Sequence, residues 1–269
     1  MSWKASVSQA QVDAGNAYEN LFVSSLFREW APRMVEAAGV QPGQRVLDVA
    51  CGTGVVAREA ALRVGAKGSV TGLDANSGML AVAVSIAPTV EWRHGIAESL
   101  PFDDASFDAV VCQFGLMFFN NKVRAVREML RVLNQRGRLA VAVWDSLERI
   151  PLYADAVALL DRLAGQEAAD ALRAPFILGD RKRLEMLFEE AGAGSVAIDT
   201  QRGTARFPDI RTLMEAEVRG WLPIMGVTLT EDQISLILQE AETALRPYVK
   251  NGEKVTFETS ALIASVTKS

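Results

Sequence analysis

Short apolar runs alternate with longer helical stretches through the first half of this chain of 269 residues. The alternation is typical of βαβ units, in which helices connect parallel strands and pack on the faces of the sheet. The runs around Val110 and Val141 are almost wholly apolar, as expected of strands covered on both faces. The predicted strands of this half are 45–50, 69–74, 90–94, 107–113 and 139–144.

Beyond Asp145 the spacing of apolar residues changes, and helical patterns become more frequent than strand patterns. An amphipathic stretch over 9–38 precedes the first strand. The sequence therefore predicts an α/β fold with a parallel sheet and additional helices in its second half. The further predicted helices are 152–172, 180–192, 209–220 and 230–246, and the further extended segments are 196–207 and 254–266.

A glycine-containing loop, Asp48-Val49-Ala50-Cys51-Gly52-Thr53-Gly54, lies where the first strand turns into a helix. Glycines at such a turn let the backbone approach a ligand closely. Asp74 ends the next strand, at close to the spacing of roughly 20 residues expected of a carboxylate that accepts ribose hydroxyls. The loop and Asp74 together predict a site for a cofactor that contains adenosine.

Two cofactors satisfy this pattern. The segment 52–57 matches the dinucleotide pattern G-x-G-x-x-G/A, so an NAD-dependent oxidoreductase is one interpretation. A dinucleotide places its pyrophosphate at the helix N-terminus, where the carboxylate of Asp48 would repel it. S-adenosylmethionine carries an ammonium and a sulfonium and has no phosphate, so Asp48 favours it.

Four ordered segments give the chain a resemblance to a known family. Residues 46–54, 72–74, 97–102 and 106–113 resemble the class I S-adenosylmethionine-dependent methyltransferases, in particular the type 11 group of ubiquinone/menaquinone biosynthesis. The resemblance implies a Rossmann-like, doubly wound, mostly parallel sheet of seven strands, the last one antiparallel. Helices would cover both faces, with a helical insertion in the C-terminal half.

The resemblance also implies a division of the chain and a set of site residues. Residues 1–38 would form a helical cover, 39–145 the cofactor-binding core, and 146–269 the substrate-side insertion with the last strands of the same sheet. Asp74 would accept the ribose hydroxyls, and Gln113 and Phe114 would flank the methionine moiety. The implied cofactor residues are Asp48, Ala50, Cys51, Gly52, Thr53, Asp74, Ala75, Met79, Ile96, Ala97, Glu98, Gln113 and Phe114. The candidate substrate residues are Tyr18, Met117, Phe118, Trp144, Tyr153 and Trp221.

Two positions depart from the pattern of the family. Ala50 stands where most members carry glycine, and this substitution adds only a methyl group. Ile96 stands where many members have an aspartate that binds the adenine amino group, and isoleucine accepts no hydrogen bond. Adenine would then depend on apolar contact and main-chain groups, together with Glu98.

Composition excludes several other classes of function. The chain has one histidine, His94, which excludes a multi-histidine metal centre, so no metal is predicted. Its two cysteines are too few for a disulfide framework. A net charge of −5 argues against nucleic-acid binding. Residues 1–5 have no signal-peptide pattern, and no apolar run approaches the ~18 residues of a membrane helix. These features predict a cytoplasmic protein without a transmembrane segment.

The expected function is transfer of a methyl group from S-adenosylmethionine to a small organic acceptor, quinone-like or otherwise apolar or aromatic. The sequence assigns no catalytic residue; His94 and the carboxylates of the second half remain open as bases. The alternatives are the NAD-dependent oxidoreductase and a non-catalytic cofactor-binding module. Methylation of RNA is less favoured because the net charge is negative.

Overall fold

A seven-stranded sheet forms the centre of the protein, with the strand order β3-β2-β1-β4-β5-β7-β6. The computed structural model describes residues 7–250, 252 and 254–269. Residues 1–5, in which no signal-peptide pattern was found, lie outside the described residues. Strand β7 is antiparallel to its neighbours β5 and β6, and the other pairs are parallel. The predicted fold class is confirmed. The strands are β1 Arg45–Val49, β2 Ser69–Asp74, β3 Glu91–His94, β4 Phe107–Gln113, β5 Leu133–Trp144, β6 Val196–Phe207 and β7 Val255–Thr267.

Helices surround this sheet and join its strands. Strands β4 and β5 are buried over most of their length on both faces, which agrees with their apolar sequences. No helix within the described ranges is long and apolar enough to cross a membrane. The helices are α1 Gln9–Tyr18, α2 Ala31–Ala37, α3 Val55–Val64, α4 Ser77–Ile86, α5 Lys122–Val132, α6 Pro151–Ala164, α7 Gln166–Arg173, α8 Arg181–Glu190, α9 Ile210–Glu215, α10 Leu222–Ile224 and α11 Glu231–Ala244.

Two predicted regular helices contain π-helical segments in the structure. The stretch 9–38 continues from α1 into the π-helical segment Glu19–Phe27, and α9 continues into a second one, Ala216–Trp221. A π turn holds an additional residue per turn, so it rotates the side chains that follow it relative to a regular α-helix. Periodicity in the sequence did not reveal this change, and such segments occur frequently at functional sites.

Two further boundaries differ from the predictions. The predicted helix 152–172 is divided into α6 and α7 by Gly165, whose φ of 87° is incompatible with a continuous helix. Strand β5 begins at Leu133, earlier than the predicted 139, because Leu133 already pairs with Phe107 of β4. Residues 134–137 therefore belong to the strand, with Arg136 in a left-handed conformation.

The order of the strands creates the crevice in which the site lies. Strand β1 is flanked by β2 on one side and by β4 on the other, so the chain winds outward in opposite directions from this point. Ligands of open α/β sheets bind at the carboxyl ends of the strands at such a switch point. The ends of β1, β2 and β4 carry the glycine loop, Asp74 and Gln113.

Trp92 of β3 packs against the glycine loop and against β2. Its ring fills the space left by Gly54 and Gly72: a Cβ atom at Gly54 would lie 2.2 Å from the ring, and one at Gly72 would lie 2.4 Å from it. The indole N–H donates a hydrogen bond to the carbonyl of Ala87 at 3.0 Å, which fixes the ring. The loop thus requires glycine at Gly54 for two reasons, the Trp92 contact and a φ of 87°.

We expect Gly54→Ala to lower the free energy of unfolding by about 3 kcal/mol or more, because a left-handed alanine costs about 1–2 kcal/mol and overpacking adds a similar amount. The matched control is Gly192→Ala, whose φ is 81° but whose Cβ would meet nothing within 4 Å. The control should lose only about 1–2 kcal/mol, the cost of the left-handed backbone. Urea denaturation measures both values, and equal losses would contradict the packing argument.

Candidate functional site

The glycine loop adopts left-handed backbone conformations and is held by the carboxylate of Asp74. Ala50 and Gly52 have φ values of 56° and 54°. Asp74 Oδ2 accepts a hydrogen bond from the amide of Gly52 at 2.7 Å, and Oδ1 accepts one from the amide of Asn76 at 2.8 Å. Burial raises the pKa of Asp74, although these amides act in the opposite direction. Asp74 therefore fixes the distance between the loop and the end of β2.

An outer cleft of about 340 Å³ opens beside this loop. It collects most of the predicted cofactor residues from the ends of β1, β2 and β4 and from the segment after β3. Ile96 lines it with 53% of its surface exposed, beside Glu98. The predicted cofactor residues that line the outer cleft are Ala50, Gly52, Asp74, Ala75, Met79, Ile96, Ala97, Glu98, Gln113 and Phe114.

Gln113 brings an unused hydrogen-bond acceptor to the outer cleft. Its Nε2 donates a hydrogen bond to the carbonyl of Phe27 at 3.3 Å. Its Oε1 is buried and has no hydrogen-bond partner among the described residues. A buried acceptor without a donor costs stability, so this oxygen is suited to a ligand that brings N–H groups.

Three predicted cofactor residues lie behind the loop and do not line the cleft. Asp48 is 1% exposed, and its Oδ2 accepts a hydrogen bond from the amide of Ala57 at 2.9 Å. Burial raises its pKa to about 8. The hydroxyl of Thr53 donates a hydrogen bond to Glu19. Cys51 is buried, and its thiol forms no disulfide. The carboxyl group of Asp48 thus caps the first turn of α3 and does not line the outer cleft.

An inner chamber adjoins the outer cleft and is almost entirely apolar. It measures about 90 Å³ and shares four aromatic residues with the cleft: Tyr18, Phe114, Phe118 and Trp221. We call these four residues the aromatic boundary. Trp144 and Tyr153 complete the set of predicted substrate residues in the chamber. Met117, the remaining one, is 2% exposed and lines a neighbouring surface cavity instead.

The two π-helical segments form one side of the inner chamber. The first contributes Phe22, Leu26 and Phe27, and the second contributes Glu217 and Trp221. Strand β5 provides Trp144, whose ring stacks on Phe114 with 3.8 Å between centroids and 7° between planes. The chamber is therefore built from parts of the chain that are far apart in sequence.

Glu217 is a site residue that the sequence analysis missed. It is 3% exposed, and its Oε1 accepts a hydrogen bond from the hydroxyl of Tyr153 at 2.7 Å. Burial raises its pKa to about 7. One signal was present in the sequence: Glu217 lies four residues after Leu213 and four before Trp221, on the apolar stripe of a predicted helix.

His94, left open as a base, lines neither the cleft nor the chamber. Its Nε2 lies 2.9 Å from the carbonyl oxygen of Ala75, which makes it a support of the segment after β2. Within the described ranges, no group of three or more His, Cys, Asp or Glu side chains is arranged to hold a metal ion.

Known proteins resemble this chain in sequence and in fold. Residues 46–137 match the family model of a methyltransferase domain, which spans the loop and strands β1 to β4. The structure also resembles that of the YcgJ protein from Bacillus subtilis, with a TM-score of 0.58, 25% identity, and coverage of 90% of this chain and 99% of that one.

Two curated relatives are similar in sequence. The ubiquinone/menaquinone biosynthesis C-methyltransferase UbiE of Laribacter hongkongensis is 36% identical over 66% of this chain and 78% of its own length. The demethylmenaquinone methyltransferase of Renibacterium salmoninarum is 45% identical over 43% of this chain, but the match spans only 47% of that enzyme. Since the first of these relatives is matched over more than two thirds of its length, the chain belongs to the class I S-adenosylmethionine-dependent methyltransferases.

Proposed function

We propose that this protein transfers the methyl group of S-adenosylmethionine to a ring carbon of a small quinol-like aromatic molecule. The observation that carries the proposal is the meeting of two unlike cavities at one aromatic boundary. The outer cleft offers Asp74 and Gln113 to a polar ligand, and the inner chamber offers apolar walls to a ring. A transfer between two molecules needs their reacting atoms in contact, and such a boundary provides that contact.

The residues of the outer cleft suit S-adenosylmethionine. The carboxylate of Asp74 would accept the ribose hydroxyls, and the free Oε1 of Gln113 would accept N–H groups of the methionine part. Bound there, S-adenosylmethionine supplies a methyl group that is already activated by the sulfonium. The rings of the aromatic boundary attract a cation through their faces, which favours the sulfonium at this point.

The inner chamber suits an apolar ring that enters from the aromatic boundary. An apolar cavity of ~150 Å³ binds benzene, so the chamber has to widen for a quinol ring. Phe118 is 40% exposed and belongs to the boundary, so its rotation would enlarge the entrance at little cost. The names of the two relatives, a ubiquinone/menaquinone C-methyltransferase and a demethylmenaquinone methyltransferase, support a quinol-type acceptor.

The division of the chain suggested by its sequence fits this proposal. Residues 39–145 would hold the cofactor, and residues 146–269 would supply much of the acceptor side through Tyr153, Glu217 and Trp221. The helical segment before residue 39 would cover the boundary through Tyr18. The identity of the acceptor would then depend mainly on the half of the chain that the family model does not match.

An NAD-dependent oxidoreductase is disfavoured by the position of Asp48. A pyrophosphate would bind at the N-terminus of α3, where backbone amides and the helix dipole attract anions. The carboxyl group of Asp48 already accepts a hydrogen bond from the amide of Ala57 in this first turn, so this amide is not available to a pyrophosphate. Turnover with any acceptor would also rule out a non-catalytic cofactor-binding module.

Methyl transfer is tested directly with S-adenosylmethionine labelled in its methyl group and 1,4-dihydroxynaphthalene as acceptor, under anaerobic conditions. We expect a labelled ring-methyl product, located by NMR, and S-adenosylhomocysteine in equal amount. The oxidised naphthoquinone is the chemical control and should not react, because its ring is electron-poor. Binding of S-adenosylmethionine without methylation of any quinol or phenol would overturn the proposed acceptor class.

The role of Asp74 is tested with Asp74→Asn. The substitution keeps the size of the side chain but removes the charge that receives two hydroxyls, so we expect affinity for S-adenosylmethionine to fall about 10- to 100-fold. Asp199→Asn, on the exposed side of β6, is the matched control and should bind normally. Calorimetric titrations with S-adenosylmethionine and with NADH measure both. Unchanged affinity in Asp74→Asn, or tight binding of NADH by the wild type, would contradict the cofactor assignment.

A further inference from the structure

Glu217 is the one ionisable carboxylate among the described residues that line the inner chamber. The other lining side chains are aromatic or aliphatic, apart from the hydroxyls of Tyr18, Tyr153 and Thr259. Burying a carboxylate without a cation beside it is strongly unfavourable for the folded state. A group buried in this way beside a cleft is a candidate for a chemical role.

We propose that Glu217 is the general base of the reaction and takes the proton of an acidic O–H of the acceptor, with Tyr153 as its positioning residue. The inference rests on the proposed function, because it needs an acceptor ring in the inner chamber. Its geometric basis is that Glu217 lines the same chamber as Phe114 and Trp221, which also belong to the aromatic boundary where the methyl group is transferred.

Tyr153 of α6 holds the carboxylate in place. Its hydroxyl donates a hydrogen bond to Oε1 of Glu217 at 2.7 Å. Lone pairs on the two carboxylate oxygens of Glu217 therefore remain free to receive a proton. The other titratable groups that line the chamber are Tyr153, which is bonded to Glu217, and Tyr18 at the end of α1. A base whose pKa lies near 7 is partly ionised at neutral pH, and the pKa of Glu217 is about 7.

A second polar group in the chamber suits the other oxygen of a quinol. Thr259 of β7 is 1% exposed, and its Oγ1 has no hydrogen-bond partner among the described residues. A hydroxyl can donate and accept, so it can pair with a phenol or phenolate oxygen. An acceptor with two oxygens on one ring would then pair one oxygen with Glu217 and the other with Thr259.

The proposed reaction balances in two steps. Glu217 removes the O–H proton, and the oxygen's electron pair delocalises to the neighbouring ring carbon, which forms a bond to the methyl carbon. The C–S bond breaks, and its electron pair stays on sulfur, leaving a neutral thioether and a methylated dienone. The ring carbon then loses its proton to solvent while Glu217 returns a proton to the oxygen, so one proton is released overall.

The activity test compares Glu217→Gln with the wild type in the anaerobic assay with 1,4-dihydroxynaphthalene. We expect kcat to fall about 100-fold or more, as for the loss of a general base, with the affinity for S-adenosylmethionine unchanged. The wild-type kcat should fall below pH 7, and this acid limb should be absent in Glu217→Gln. Glu242→Gln, on the exposed face of α11, is the matched control and should keep the wild-type kcat and profile.

Tyr153→Phe separates positioning from packing. The Tyr153 hydrogen bond lowers the pKa of Glu217, so its loss should move the acid limb of kcat to higher pH without abolishing turnover. A purely structural role for the pair would leave the limb in place. An unshifted limb in Tyr153→Phe would therefore overturn the positioning role.

The pKa of Glu217 can also be tested without any ligand, from the pH dependence of the free energy of unfolding. Because burial raises the pKa of Glu217, the folded state binds more protons than the unfolded state between the ordinary pKa of glutamate and about 7. The free energy of unfolding of the wild type should therefore fall, relative to Glu217→Gln, as pH rises through this window. A pH-independent difference would show that the carboxyl group has an ordinary pKa and would overturn the inference.

The outcomes separate this inference from the proposed function. Failure of the wild type to bind S-adenosylmethionine overturns the proposed function itself. Binding and methylation by the wild type, with an equal kcat in Glu217→Gln, overturns only the role of Glu217. Binding without methylation of quinols or phenols overturns both the acceptor class and the base.

Discussion

The contact between the ends of β1 and β4 is the constraint on which the site depends. Ala50 and Phe114 follow these adjacent strands, and both have left-handed backbones, with φ values of 56° and 54°. A Cβ atom on Gly115 would lie 2.7 Å from the Cβ of Ala50, so the two turns approach each other only because residue 115 is glycine. Strained backbone of this kind persists where the surrounding structure enforces it, commonly at functional sites.

This contact determines what lies on either side of it. The turn at Ala50 directs the glycine loop toward Asp74 and forms the floor of the outer cleft. The turn at Phe114 directs its ring away from the strand and onto Trp144 at 3.8 Å, where it separates the cleft from the inner chamber. A cleft that offers the polar groups of Asp74 and Gln113 therefore meets an apolar chamber at Phe114, and Tyr18, Phe118 and Trp221 extend the boundary around it.

The sequence allowed the sheet and the cofactor side to be predicted because their signals are local. Strand β6 was predicted with its observed bounds, since a strand pattern is read from neighbouring residues. The spacing between Gly52 and Asp74 predicted that the loop and this carboxylate belong to one site, and in the structure a 2.7 Å hydrogen bond joins the two residues. The orientation of Asp48 was not predictable in this way, because its partner, the amide of Ala57, depends on how the first turn of α3 is closed.

The inner chamber could not be predicted to the same extent because its walls come from distant segments. Glu217 lies 64 residues from Tyr153 in sequence, and their hydrogen bond depends on the packing of α6 against a π-helical turn. A π turn leaves only a weak trace in hydrophobic periodicity, so both π-helical segments were predicted as ordinary helices. Trp144, Tyr153 and Trp221 were chosen as aromatic residues, but the chamber that they line was visible only in three dimensions.

We infer that one aromatic boundary joins a cofactor site to an acceptor site. A crystal structure of the protein with S-adenosylhomocysteine would test this arrangement. We expect the ribose hydroxyls within hydrogen-bond distance of Asp74 and the sulfur atom beside Phe114, facing the inner chamber. A ligand bound elsewhere, or one whose sulfur faces away from the chamber, would contradict it.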